Sequence, residues 1–182
     1  ETAVHGFSAL TGADNFLYGD VSQTIDVDFQ WVSLDDANSV TNIEFYVSFA
    51  EEYTDFEGGK VVANHGEVLL GEYTAPGNRE SFSFSIDQLA VYEMFKNATF
   101  AYNVTDGDDP AIPVFSNPAK PNRDAASSPF VDGDSYQVRW ILYTADGRVF
   151  DTWNDSICLE FPGANCNINF AVVCSQDIDA SA

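Results

Sequence analysis

A chain of 182 residues with 7 Lys+Arg against 29 Asp+Glu carries a formal net charge of -22, which repels phosphate backbones and anionic bilayers and so excludes nucleic-acid binding. The length fits one domain, and 45% hydrophobic residues with 15 Phe and 8 Tyr supply ample apolar area for one core. No stretch nears the roughly 20 apolar residues of a transmembrane helix.

Glu1 to Leu10 has neither the basic start nor the apolar run of a signal peptide, so the chain reads as a mature protein or a segment of a longer one. Period-two alternation follows. Ile25, Val27, Phe29 and Trp31 point one way while Asp26, Asp28 and Gln30 point the other, as a half-buried strand requires. Ile43, Phe45, Val47 and Phe49 repeat this against Glu44, Tyr46 and Ser48, and Phe82, Phe84 and Ile86 repeat it against serines. Between them, "ANHGEV" around His65 reads as a turn before a strand from Val68 to Tyr73.

"SIDQLAVYEMFKN" breaks the rhythm: Asp87 can cap a short helix that sets Leu89, Tyr92 and Phe95 at helical spacing. Strands are expected again from Ala98 to Val104, Tyr136 to Tyr143, Arg148 to Trp153 and Asn167 to Cys174. The Asp146-Gly147 pair between Tyr143 and Arg148 has the chemistry of a tight hairpin. Trp31 and Trp140 lie on apolar faces and are expected in the core. The pattern gives an all-β fold, an antiparallel β-sandwich of seven to nine strands with one short helix and one long loop. A single domain spans 1–174, with the proline-rich loop at 105–131 and a polar tail or linker at 175–182.

The candidate site residues lie mostly at loops. Asp106, Asp108 and Asp109 at one end of the long loop, with Asp132 and Asp134 at the other, could supply oxygen ligands to Ca²⁺, although their spacing is not that of an EF-hand and Asp-Gly pairs are ordinary turn formers. Tyr53, Phe56, Phe115 and Trp153, in or near loops, could stack on the apolar faces of sugar rings. Cys158 and Cys166 bracket "CLEFPGANC" and suit a local disulfide in an oxidising compartment, while Cys174 shares strand parity with Ile168, Phe170 and Val172 and is expected to be buried. Two histidines, His5 and His65, sit in no zinc spacing, and no nucleophile elbow or phosphate-binding glycine loop occurs.

"IEFYVSFAEEY", "RESFSFSIDQLAVY", "GDSYQVRWILYTADGRVF" and "INFAVVC" together resemble the ordered blocks of a domain in surface lipoproteins of Bacteroidota, many of which accompany starch-utilisation-type outer-membrane importers. The resemblance implies an immunoglobulin-like sandwich, displayed at the cell surface, with a binding or scaffolding role and no chemistry of its own. It also implies that Ser156, in Asp155-Ser156-Ile157, is an O-glycosylation acceptor. No lipid-accepting cysteine stands near Glu1, so the anchor the resemblance implies would lie upstream or be absent.

The functional expectation is a non-enzymatic extracellular module, an accessory subunit of an outer-membrane protein complex with polysaccharide as a further partner. The alternatives are an adhesive subunit of a surface layer or filament that pairs through strand edges, and a glycoside hydrolase using two of the many carboxylates.

Overall fold

A computed structural model describes residues 4–33, 39–151, 158 and 163–174. Its first sheet has the order β1 (Val4–Leu10), β3 (Thr24–Ser33), β6 (Ser81–Asp87). The second runs β2 (Phe16–Leu17), β11 (Ile168–Val173), β9 (Asp134–Thr144), β4 (Val40–Thr54), β5 (Lys60–Thr74), with β10 (Val149–Phe150) also on β9. All pairs are antiparallel except β2 with β11. This is an all-β sandwich with the strand adjacency of an immunoglobulin-like fold: a three-strand sheet faces a larger one in which the first segment returns to pair in parallel with the last strand.

The alternation sets which side chains meet. Ile25, Val27 and Phe29 oppose Ile86, Phe84 and Phe82 across the first sheet, and Phe45, Val47 and Phe49 oppose Trp140, Val138 and Tyr136 across the second. The two apolar faces close on each other, so Trp31 and Trp140 are both fully buried. Antibody domains pin the corresponding strands with a disulfide; here Phe29 of β3 meets the Trp140 ring of β9 edge to face, centroids 5.0 Å apart. β1, unanticipated because its alternation is weak, crosses this point at Gly6, where a Cβ would lie 2.3 Å from Trp140 Nε1. Only glycine lets the backbone approach that closely.

The helix α1 (Gln88–Phe95) starts as expected, with the Asp87 carboxylate accepting the Ala90 N–H at 2.7 Å. Its inward face differs from the expected one: Gln88, Val91 and Phe95 are buried, while Leu89 is exposed. The Asp146-Gly147 turn forms the β9–β10 hairpin, Gly147 taking a φ of 85°. Only Thr99–Ala101 of the expected strand after the helix is formed (β7), paired with β8 (Ala111–Pro113).

Two segments depart from the expected form. "ANHGEV" is no turn: β5 runs straight through it, with one extra residue opposite Ser48–Ala50 and Gly66 at a φ of 79°. This is a β-bulge, and it resets the alternation midway, which disguised one long strand as a turn and a short one. Cys174 is exposed, because β11 ends at Val173 and parity no longer places the next side chain. The predicted tail at 175–182 lies outside the described residues.

The loop at 105–131 is exposed over much of its length but anchored at a few buried positions. After β8 it makes one 3₁₀ turn (Val114–Ser116) and folds back over one end of the sandwich, burying Val114, Phe130 and Val131.

A candidate binding groove backed by a buried ionic network

At the end covered by this loop, the core faces of β4, β5 and β9 stop being apolar. Glu51 keeps the inward parity of Ile43 to Phe49, Asp134 keeps that of Tyr136 to Leu142, and His65 is turned inward ahead of the bulge. The side chains of Glu51 and Asp134 are fully buried. Buried charge is costly unless paired and hydrogen-bonded, and the loop supplies the partners. Arg123 donates from Nη2 to Glu51 at 2.9 Å and from Nη1 to Asp134 at 2.8 Å, while Lys120 Nζ reaches Asp134 at 2.8 Å. The formal charges cancel.

The remaining acceptor capacity is also filled. Glu51 accepts from His65 Nε2 at 2.9 Å, from Asn117 Nδ2 at 3.3 Å and from the Tyr102 hydroxyl; Asp134 accepts the Val131 N–H at 2.9 Å. Burial pushes the Glu51 carboxyl up, but the hydrogen bonds from His65 and Tyr102, the charge of Arg123 and the Asn117 amide outweigh it and hold it below its usual range. Burial and the neighbouring Glu51 raise the Tyr102 hydroxyl far above its usual range. With their oxygens all engaged, the two carboxylates hold the loop in place and leave no lone pair for an incoming reactant, while His65 Nδ1 and Arg123 Nε stay buried without a hydrogen-bond partner among the described residues.

On the opposite face of these same strands lies a groove of about 770 Å³, within the range of small-ligand sites. The strand registers set it out as two rows across four strands. Ala171, Ser135, Ala50 and Asn64 align in one; Asn169, Gln137, Ser48 and Glu67 align in the other. The small side chains of Ala171, Ser135 and Ala50 form a trough that runs perpendicular to the strands for about 10 Å, two inter-strand spacings, with Asn64 at its β5 end. The bulge at Gly66 adds local twist to the β5 side. At the β11 end, Asn15 Oδ1 accepts the Ala171 N–H at 2.8 Å.

The second row is polar and ordered. Gln137 Nε2 donates to Asn169 Oδ1 at 3.0 Å, and Asn169 Nδ2 to Asn167 Oδ1 at 2.8 Å, a relay that orients both amides. Glu67 is held by Arg139 Nε at 2.7 Å, with Nη2 on its second oxygen, and the guanidinium lies 5.0 Å from the Tyr46 ring centroid. Hydrogen bonding from Arg139 keeps the Glu67 carboxyl below its usual range.

The structure places the sequence-predicted residues elsewhere. Tyr53 is buried because β4 runs on to Thr54 in the core phase; its hydroxyl accepts the Asn103 N–H at 3.1 Å. Phe115 is drawn inward with the loop, stacked on Phe49 at 5.6 Å with Arg123 5.3 Å from its ring centroid. Neither presents a face to a sugar. Phe56 is 42% exposed at the β4–β5 turn, away from the groove. Trp153 and Ser156 lie outside the described residues.

The five aspartates do not converge. Asp134 is buried in the ionic network, Asp109 accepts the N–H groups of Val104 and Thr105 at 2.6 and 3.0 Å, and Asp106, Asp108 and Asp132 are exposed. No group of three or more His, Cys, Asp or Glu among the described residues is arranged to hold a metal ion. Cys158 and Cys166 are joined, with Cα atoms 5.8 Å apart.

No family model matches the chain, and no curated protein matches it. Two solved structures of a β-glucosidase from Listeria innocua, in complex with isofagomine and with gluconolactone, align with 96% and 94% of this chain at 11% identity, with TM-scores of 0.33 and 0.31. The chain spans 16% of the length of each.

Proposed function

We propose that this protein is a non-enzymatic extracellular binding module whose ligand is a glycan seated in the groove across β11, β9, β4 and β5. The observation that carries the reading is the trough of small residues lined by side-chain amides. A hydroxyl both donates and accepts hydrogen bonds, and so does an amide. Asn64, Gln137 and Asn169 therefore match a polyhydroxylated chain laid across the strands better than they match an apolar or metal-bound ligand.

Two further observations support it. Hydrolysis of a glycosidic bond uses two carboxyl groups flanking the bond, and the described lining residues include one, Glu67, already clamped by Arg139. The Cys158–Cys166 disulfide suits an oxidising compartment, consistent with display outside the cell. The proposed setting is a surface complex of the outer membrane. Assembly through strand edges is less favoured: the β5 edge carries two register shifts, and bulges blunt edges against pairing.

Electrophoresis of the native protein through gels cast with soluble polysaccharides tests the reading. Retardation of the wild type, lost in an Asn64→Ala, Gln137→Ala, Asn169→Ala variant of unchanged melting temperature, is expected. Free migration of the wild type in every gel, or equal retardation of the variant, would refute it.

A further inference from the structure

We infer that the groove selects uncharged glycans and rejects both acidic and amine-bearing ones, an inference that rests on the glycan reading above. Among the described lining residues the only ionised side chain is Glu67, and Arg139 neutralises it through two nitrogens on its two oxygens. A uronate or sulfate entering the groove finds no unpaired cation among the described lining residues, and it approaches a chain of net charge -22. Desolvating an anion there without a partner is unfavourable.

An ammonium group is drawn to the acidic surface from a distance, but it meets no free carboxylate among the described lining residues, since Glu67 is engaged by Arg139. What the groove offers is directed and neutral. The relay from Gln137 through Asn169 to Asn167 fixes which end of each amide donates, so the row is set before a ligand arrives. Pre-oriented neutral partners favour hydroxyl groups, whose binding does not depend on ionic strength. The apolar C–H edges of a sugar would rest on Ala50 and Ala171 in the floor.

Isothermal titration with three oligosaccharide sets of matched length tests this: neutral glucans and mannans, uronate-bearing oligomers, and deacetylated amino-sugar oligomers, each at low and high salt. The expected result is binding of a neutral oligomer with an affinity that changes less than about twofold between ~0.02 and ~0.5 M salt, a range over which exposed charge pairs are strongly screened. Tighter binding of an acidic or amine-bearing oligomer, or a neutral affinity that falls about tenfold with salt, would overturn the inference and leave the glycan reading standing. Binding of none of the three overturns the glycan reading itself. Glu67→Gln supplies a second arm: it releases Arg139, and binding of the uronate oligomer is expected to strengthen several-fold relative to the neutral one. An unchanged ratio would contradict the role assigned to the Glu67–Arg139 pair.

Discussion

The two faces of one short stretch of sheet make opposite use of polar residues. Inward, Glu51, His65 and Asp134 are sealed under the loop with Arg123, Lys120 and Tyr102, and every carboxylate oxygen is engaged. Outward, their sequence neighbours Ala50, Asn64 and Ser135 line an open groove. Because side chains alternate along a strand, holding one face rigidly also holds the other. Polarity alone therefore does not mark a binding site; a paired, buried charge serves the fold, whereas amides facing water keep hydrogen-bonding capacity that the proposed ligand would use.

The largest expected effect comes from breaking the inner face. Arg123→Ala leaves two buried carboxylates short of a cation and should cost roughly 3–5 kcal/mol in chemical denaturation. A loss below about 1 kcal/mol would mean that water reaches the network.

Glu51→Gln should cost about 2–3 kcal/mol at neutral pH, from the weakening of hydrogen bonds made to a charged group. Its folded-state carboxyl is held below the ordinary value of 4.5, so its contribution is fully present above that pH and is lost as pH falls through the folded value. The stability gap between wild type and variant should thus close on acidification. A gap that widens below 4.5 would reverse the sign.

Tyr102→Phe removes the hydroxyl that donates to Glu51 and lies 3.0 Å from the Val114 carbonyl oxygen. The expected loss is roughly 1.5–2 kcal/mol by the same measurement. At the other extreme, Gln137→Ala and Asn169→Ala on the outer face should change stability by no more than about 0.5 kcal/mol while weakening glycan binding. Comparable destabilisation from inner and outer substitutions would erase the distinction between the faces.

Much of the fold is legible in the sequence where alternation is unbroken. Ile25 to Trp31, Ile43 to Phe49 and Tyr136 to Tyr143 read directly as strands, and Asp87 announces the helix. Legibility fails where a backbone irregularity resets the phase, as Gly66 does in β5 and thereby hides His65. The site was less accessible, for two physical reasons. Glu51 and Asp134 do share parity with the apolar core, a signal that was available, but their partners come from a loop whose path no periodicity encodes. The groove depends on which outward residues align across four strands, and register between distant strands is a tertiary property. Loop aromatics suggested sugar stacking, yet Tyr53 is buried and Phe115 packs partly buried against the core, because burying a ring is worth more than exposing it.

The most direct test is chemical-shift mapping of the ¹⁵N-labelled protein during titration with a neutral oligosaccharide. The side-chain amide resonances of Asn64, Gln137 and Asn169 are predicted to move together, with Arg123 and Tyr102 unperturbed. Shifts confined to the loop at 105–131 or to the Phe56 turn, with the three amides unmoved, would contradict the division of labour between the two faces.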